Sequence, residues 1–229
     1  MVELIEWDHD IVRHLDVSYF IQWTSREAGA NLAGVSQILT PMMGVWRVDI
    51  TIPREFDGTR LKQFEALVSQ MRGRYNVANL PVCDPYKYDA GVSPRQYPFD
   101  DGQWFSDGTG FSDGTGGVQP LNLTADVAIG ANQLYLDLTN PVRPGPRVGD
   151  HFSSGGFLYR VVARNSAGWV KFEPSARAAM AAGNAPNFSA PRFYGRFIDD
   201  SQGQRTREFL RWGASITLSF VEAFDRSFT

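Results

Sequence analysis

The sequence predicts a mainly β protein with one α-helix, in which a β-sheet domain that is discontinuous in sequence carries an inserted small β-barrel or sandwich module. Three observations predict this class. Apolar and polar residues alternate in short segments along most of the chain, as in half-buried strands. Only one segment has the spacing of an amphipathic helix. Residues 191–229 have strand-like patterns but are too few to form a core alone, so they are expected to complete a sheet begun earlier.

The first segment, residues 1–100, is rich in strand-like patterns. These lie at 17–23, 37–39, 45–51 and 79–85. In the third of them, Trp46, Val48 and Ile50 alternate with polar residues, which indicates a strand with one buried face. Pro53 ends that strand, because proline has no N–H to donate to a sheet. The fourth stretch ends at a proline and predicts a short edge strand.

The helical segment runs from about residue 59 to residue 72. Its apolar residues form one stripe at helical spacing, made of Leu61, Phe64, Leu67, Val68 and Met71. Asp57 or Thr59 is predicted to cap the first turn. Gly73 stands where a left-handed residue ends many helices.

Residues 101–117 contain a tandem copy of Phe-Ser-Asp-Gly-Thr-Gly, which starts at Phe105 and again at Phe111. Asp-Gly pairs are turn signals, and the surrounding Pro, Gly, Tyr and Phe residues have no strand or helix period. The segment is therefore predicted to be an arm or loop that packs on a neighbour. Asp107 and Asp113 offer oxygen ligands for calcium, but the spacing of an EF-hand is absent, and paired turns are the preferred interpretation.

Residues 118–190 predict the inserted module. Its candidate strands lie at 121–129, 133–138, 157–164 and 169–172. The alanine-rich stretch 176–182 predicts one or two helical turns. Two further strands, at 192–198 and 214–220, return the chain to the sheet of the first segment. The predicted domains are therefore a discontinuous domain of 1–100 with 191–229, the arm 101–117 and the insert 118–190.

Composition excludes several classes of function. The 229 residues have a formal net charge of −3, which gives no general electrostatic basis for binding nucleic acid. The single cysteine, Cys83, excludes an intramolecular disulfide and a cysteine-rich zinc site. No nucleophile, zinc-protease or phosphate-binding motif is present, so no enzyme activity, catalytic residue or cofactor is predicted.

The histidines offer one alternative. Asp8, His9, Asp10 and His14 form the one His/carboxylate cluster, but the two histidines do not share a helical face, and no metal site is predicted. His151 is interpreted as part of a turn that enters a strand. The N-terminal residues lack the apolar region of a signal peptide, and no apolar run approaches a membrane span. The chain is therefore expected to fold in a cytoplasm without membrane insertion.

Three stretches carry a family resemblance. They are the strand 44–50 with the helix 61–73 and the residues 80–82, then 148–162, and finally 216–223. Together they resemble the minor tail proteins of long-tailed bacteriophages and phage-like particles, particularly the distal tail protein. The resemblance implies a β-sandwich tail-protein domain with one helix and an inserted β module. It also implies a ring, usually a hexamer, between the tail tube protein and the hub or fibre proteins.

The resemblance implies a place in the tail tip of the virion, with DNA only passing through the channel and synthesis in the bacterial host cytoplasm. The family offers no catalytic residues to carry over. The expected contacts are subunit interfaces, for which Trp104, Phe105 and Phe111 of the arm are suitable aromatic residues. Within the same class, a tube, terminator or hub subunit remains an alternative.

A function of a different class is also open. Tyr135, Tyr159 and Trp169 of the inserted module could offer a stacking face for sugar rings. The module would then be a carbohydrate-binding or receptor-binding module of a tail, and the two functions do not exclude each other.

Overall fold

The computed structural model describes residues 2–7, 16–30, 36–39, 44–82, 84, 96–97, 103, 106, 111–112, 121–138, 145–207, 213–225 and 227–228. In chain order the strands are β1 (Leu4–Glu6), β2 (Asp16–Gln22), β3 (Arg26–Ala30), β4 (Ser36–Leu39), β5 (Val45–Ile52), β6 (Val77–Pro81), β7 (Gln96–Tyr97), β8 (Phe111–Ser112), β9 (Gln133–Tyr135), β10 (His151–Ser154), β11 (Phe157–Arg164), β12 (Trp169–Glu173), β13 (Arg192–Phe197) and β14 (Ile216–Glu222). The described part contains one helix, α1 (Gly58–Met71). No helix of this part is long and apolar enough to cross a membrane.

The larger sheet is built from both ends of the chain. Its six strands have the order β1-β6-β13-β14-β5-β2, and all neighbours are antiparallel except β1 and β6. The predicted fold class is therefore confirmed: the protein is mainly β, with a sheet that is discontinuous in sequence. One prediction about this sheet was wrong, because β6 lies between β1 and β13 and is not an edge strand.

One face of the larger sheet forms the first hydrophobic core with α1. Alternate residues of β5 are buried, as the sequence pattern predicts. The helix begins after Asp57, whose carboxylate accepts a hydrogen bond from the Thr59 amide at 2.8 Å, and Arg72 and Gly73 follow its end with positive φ angles. Phe64 of the helix packs against Trp7 with ring centroids 6.3 Å apart. Burial of this apolar face provides most of the stabilisation of such a helix.

The smaller sheet has the order β10-β11-β12-β9 and belongs to the inserted module. It covers a second hydrophobic core in which Phe152 lies close to three other rings, with centroid distances of 5.1 Å to Tyr159, 5.5 Å to Phe172 and 4.8 Å to Phe188. Strand β11 has the bounds that the sequence pattern predicts. Two short ribbons, β3 with β4 and β7 with β8, complete the described strands.

Two predictions for the module were wrong. Residues 121–129 form isolated bridges instead of a regular strand, and residues 176–182 form no helical turn. The reason is the same for both, because these two segments bond to each other. The Val127 and Met180 amides donate to each other's carbonyls, and the Ala176 amide donates to the carbonyl of Ala131. Amides used in this way are not available to a helix or to a continuous ladder.

Candidate assembly surface and the seam between the sheets

The two sheets meet at Trp46, a fully buried side chain of β5. Its indole Nε1 donates a hydrogen bond to the carbonyl of Leu158 at 2.6 Å. Leu158 belongs to β11 but is buried in the first core. We call the contact region around Trp46, where the module packs on the larger sheet, the seam.

A buried ion pair contacts the backbone of Trp46. Arg177 Nη2 is 3.2 Å from Glu222 Oε2, and the side chains are only 3% and 1% exposed. The same carboxylate oxygen accepts from the Trp46 amide at 3.2 Å, and Arg177 also donates to the Gly44 carbonyl. The guanidinium lies 5.2 Å from the ring centroid of Phe224. Since Arg177 comes from the module and Glu222 from β14, this pair joins the module to the larger sheet.

An imidazole and a second arginine contact the ring of Trp46. Arg160 Nε donates to His151 Nε2 at 3.1 Å, and Arg160 Nη2 donates to the Tyr19 carbonyl at 2.9 Å. The His151 ring lies 5.5 Å from Tyr19 and 5.7 Å from Trp46. Its Nδ1 is 3.6 Å from Asp84 Oδ2, which is longer than a hydrogen bond. Burial and then the charge of Arg160 lower the pKa of His151 to about 4, against the opposite effect of Asp84.

The seam therefore adds polar contacts to the apolar contact of Leu158, and each charged group faces a defined neighbour. Breaking a buried pair by removal of one partner is costly, because the other charge stays buried. Within the described residues, no group of three or more His, Cys, Asp and Glu side chains could hold a metal ion.

The residues predicted to stack on sugars do not share one surface. Tyr159 is fully buried in the second core, and its hydroxyl accepts from the Arg177 amide at 3.0 Å, so its assignment to a stacking face was wrong. Tyr135 and Trp169 are directly opposite each other on β9 and β12. Tyr135 is 47% exposed. The Trp169 indole donates to the Gln133 side chain at 2.9 Å, which holds the ring in place.

The residues predicted at subunit interfaces are mostly outside the described part. Trp104 and Phe105 lie outside the described residues, as do Asp107 and Asp113. Phe111 begins β8, where it is paired with Tyr97 of β7. The roles of the three aromatic residues in subunit contacts stay predictions.

Sequence reasoning missed the seam, although one signal for it exists. The inward alternation of Leu218 and Phe220 in β14 continues to Glu222, which places a carboxylate on the buried face. A charge in phase with core residues needs a buried partner. The partner Arg177 lies in the alanine-rich stretch 176–182, whose composition predicts helical turns and does not indicate a buried cation.

Exposed aromatic side chains lie next to the seam. Trp23 and Phe224 are 39% and 51% exposed. Gly44 lies against the Trp23 ring. A Cβ atom added to this glycine would be only 3.1 Å from the ring. Gly44 also accepts the hydrogen bond from Arg177, whose guanidinium lies over Phe224. Trp23 and Phe224 thus flank one end of the seam, and we call them the aromatic rim.

No protein-family model matches the chain, and a search of curated proteins gives no match. Function is therefore inferred from the residues, their geometry and the resemblance of the three stretches.

Proposed function

We propose that the protein is a structural component of a bacteriophage tail tip. Copies of the chain form a ring, with a hexamer favoured, that joins the tail tube to the hub or receptor-binding apparatus. The protein is made in the cytoplasm of the bacterial host and ends in the virion, where DNA passes through the ring. No catalytic residue, metal or cofactor takes part in this function.

The observation that carries this proposal is the way in which the three stretches of the resemblance pack. They are far apart in the sequence, yet β14 pairs with β5 along its length. Strand β11 of the second stretch bonds to Trp46 of the first through Leu158. The residues that resemble a tail protein therefore form one contiguous unit, as expected if they define a shared scaffold.

The chemistry of the seam supports a scaffold role. Across the two sheets, Arg177 bonds to Glu222 and Arg160 bonds to the Tyr19 carbonyl, while Arg160 also bonds to His151 within the module. Groups used in this way fix the position of the module on the larger sheet. A subunit of a closed ring needs such a fixed shape, because head-to-tail contacts close only at one rotation per subunit.

The aromatic rim is the described surface that best suits a subunit contact. Large aromatic side chains are enriched at the centres of interfaces. Trp23 lies beside Gly44, and Phe224 lies against the guanidinium of Arg177, which bonds to the same glycine. The arm residues Trp104, Phe105 and Phe111 remain the second proposed contact.

Negative-stain electron microscopy of the purified protein tests the proposal. We expect class averages of rings with sixfold symmetry. Trp23→Ala combined with Phe224→Ala should reduce the fraction of rings, whereas Phe56→Ala is the matched control, since Phe56 is 63% exposed and distant in sequence from the rim. Single small particles at every concentration, also after addition of a tail tube protein, would contradict a ring-forming role.

A second candidate function is favoured by one observation. Tyr135 and Trp169 face each other across two strands, and Gln133 fixes the indole. Two neighbouring aromatic rings with an amide beside them suit the apolar face and hydroxyl groups of a sugar. A glycan array with the wild type and with Trp169→Ala tests this: binding that the substitution removes supports it, and no binding by the wild type rejects it.

A further inference from the structure

The hydrogen bond between Arg160 and His151 fixes the protonation state of a buried imidazole. A guanidinium has donors and no acceptor, and it stays charged at any pH of interest. Because Arg160 Nε donates to His151 Nε2 at 3.1 Å, this nitrogen must carry a lone pair. The remaining proton is then on Nδ1, which faces Asp84. The seam is thus built around a neutral histidine.

We propose that the seam is an acid-sensitive joint, in which protonation of His151 loosens the contact between the inserted module and the larger sheet. The proposal goes beyond the ring function and does not depend on it. It rests on the position of the imidazole between the two sheets and on the donor that faces it.

Protonation would bring two positive groups into contact. A proton on Nε2 of His151 would point at the N–H of Arg160, so an attractive contact would become a repulsion between like charges in a buried site. Arg160 also holds the Tyr19 carbonyl of β2 and lies with its guanidinium 5.1 Å from the ring centroid of Trp46. Displacement of Arg160 would therefore release two contacts that join β11 to the larger sheet, and the hydrogen bond that joins β11 to β10 within the module.

The other groups around His151 do not cancel this effect. Asp84 favours the protonated form, but burial and the charge of Arg160 oppose it more strongly, and together they hold the pKa of His151 near 4. Asp150, the preceding residue, accepts a hydrogen bond from the Arg147 amide at 2.5 Å. Tyr19 faces the imidazole with its ring.

The ion pair of Arg177 and Glu222 bonds to the backbone of Trp46, whereas His151 and Arg160 contact its ring. Arg177 and Glu222 bond to each other and to the backbone of Gly44 and Trp46. Acid is therefore expected to loosen the His151 side of the seam first, while the Arg177 side keeps the module attached. The joint changes its stiffness without releasing the module.

Hydrogen–deuterium exchange at pH 7 and pH 4.5 tests the joint. A histidine exposed by opening regains its ordinary pKa of about 6.5, so opening should become on the order of a hundredfold more frequent at pH 4.5. We expect this increase, after correction for intrinsic exchange rates, in peptides that contain 44–48 and 157–161. Peptides from 61–71 of the helix serve as the internal reference.

His151→Gln is the decisive variant, because glutamine keeps an acceptor for Arg160 and cannot be protonated in this range. The variant should lose most of the pH dependence at the seam. A double variant, His9→Gln with His14→Gln, is the matched control and should keep it. Equal pH dependence in the wild type and in His151→Gln would overturn the proposal.

A second measurement covers the case in which His151→Gln fails to fold. The chain has 3 histidines, so their imidazole Cε1–H signals can be followed by NMR during a pH titration of the wild type. We expect one signal to titrate near pH 4, whereas exchange at the seam should already rise as the pH falls from 6.5 towards 4. Titration of all three signals near pH 6.5 would overturn the proposal.

Discussion

The larger sheet and the inserted module are both built around buried aromatic rings, but the contact between them is built differently. Phe220 of the larger sheet packs 4.9 Å from Phe197, and Phe152 of the module packs 4.8 Å from Phe188. At the seam, by contrast, an ion pair and an imidazole–guanidinium contact surround one tryptophan. Each core gains from apolar burial, which has no direction, whereas polar contacts specify one orientation.

This difference suggests a division of roles. The two cores are expected to provide the stability, and the seam the fixed position of the module. Substitutions in one core should act first on that region, and substitutions at the seam should act on the relation between the regions.

The largest effects are expected in the two cores. Phe220→Ala and Phe152→Ala each remove a fully buried ring, and each should lower the free energy of unfolding by about 4 kcal/mol. Urea denaturation gives the total effect, and hydrogen exchange gives its location. Phe152→Ala should speed exchange in the module, and Phe220→Ala in the larger sheet. If both variants changed both regions equally, the two cores would be one cooperative unit and the division would be wrong.

The buried ion pair should give the next effect. Arg177→Met leaves Glu222 buried beside Trp46 without this cation, so we expect a loss of about 3 kcal/mol. The double variant Arg177→Met with Glu222→Leu should recover most of that loss, since a well-packed apolar pair often replaces a buried ion pair at little cost. A double-mutant cycle by urea denaturation measures the coupling. If the double variant lost as much free energy of unfolding as the two single variants together, the two side chains would not act as a pair.

The third prediction concerns pH. The pKa of His151 is about 4 in the folded protein and about 6.5 in an unfolded chain, so the unfolded state takes up the proton first as pH falls. The stability due to neutral His151 is fully present above pH 6.5 and is lost as pH falls from there through 4. Between neutral pH and pH 4.5, the free energy of unfolding of the wild type should fall by about 2.5 kcal/mol more than that of His151→Gln. Equal slopes of unfolding free energy against pH in the two proteins would contradict it.

The smallest effect is expected at the helix cap. Asp57→Ala removes the acceptor of the Thr59 amide and should cost about 1 kcal/mol. Asp57→Asn keeps an acceptor and should cost much less, which separates the hydrogen bond from the charge. Thermal unfolding followed by circular dichroism is sufficient for both variants. An alanine variant as stable as the wild type would show that the helix is held by Phe64 and its neighbours alone.

The sequence was sufficient for the elements whose pattern is local. The alternation of β5 and the apolar stripe of α1 depend on their own residues, and both elements were predicted within one or two positions. The inner position of β6 could not be predicted, because it depends on β1 and on β13, which is distant in the chain. The same holds for Tyr159, whose exposed or buried position depends on which face of β11 the second core covers.

The seam was beyond prediction for a further reason. Two of its pairs, Arg177 with Glu222 and Asp84 with His151, join residues that are 45 or more positions apart, and no periodicity connects them. A buried charge signals that a partner exists but does not say which residue it is. The aromatic rim was missed in the same way, since Trp23 and Phe224 come from opposite ends of the chain.

The proposed ring is tested most directly by the mass of the purified protein in solution. Light scattering over a concentration series should give a mass that reaches a plateau at six times the 25.6 kDa of the chain, since a closed ring stops growing once it is complete. A mass that stays at 25.6 kDa at every concentration, with or without a tail tube protein, would contradict the ring.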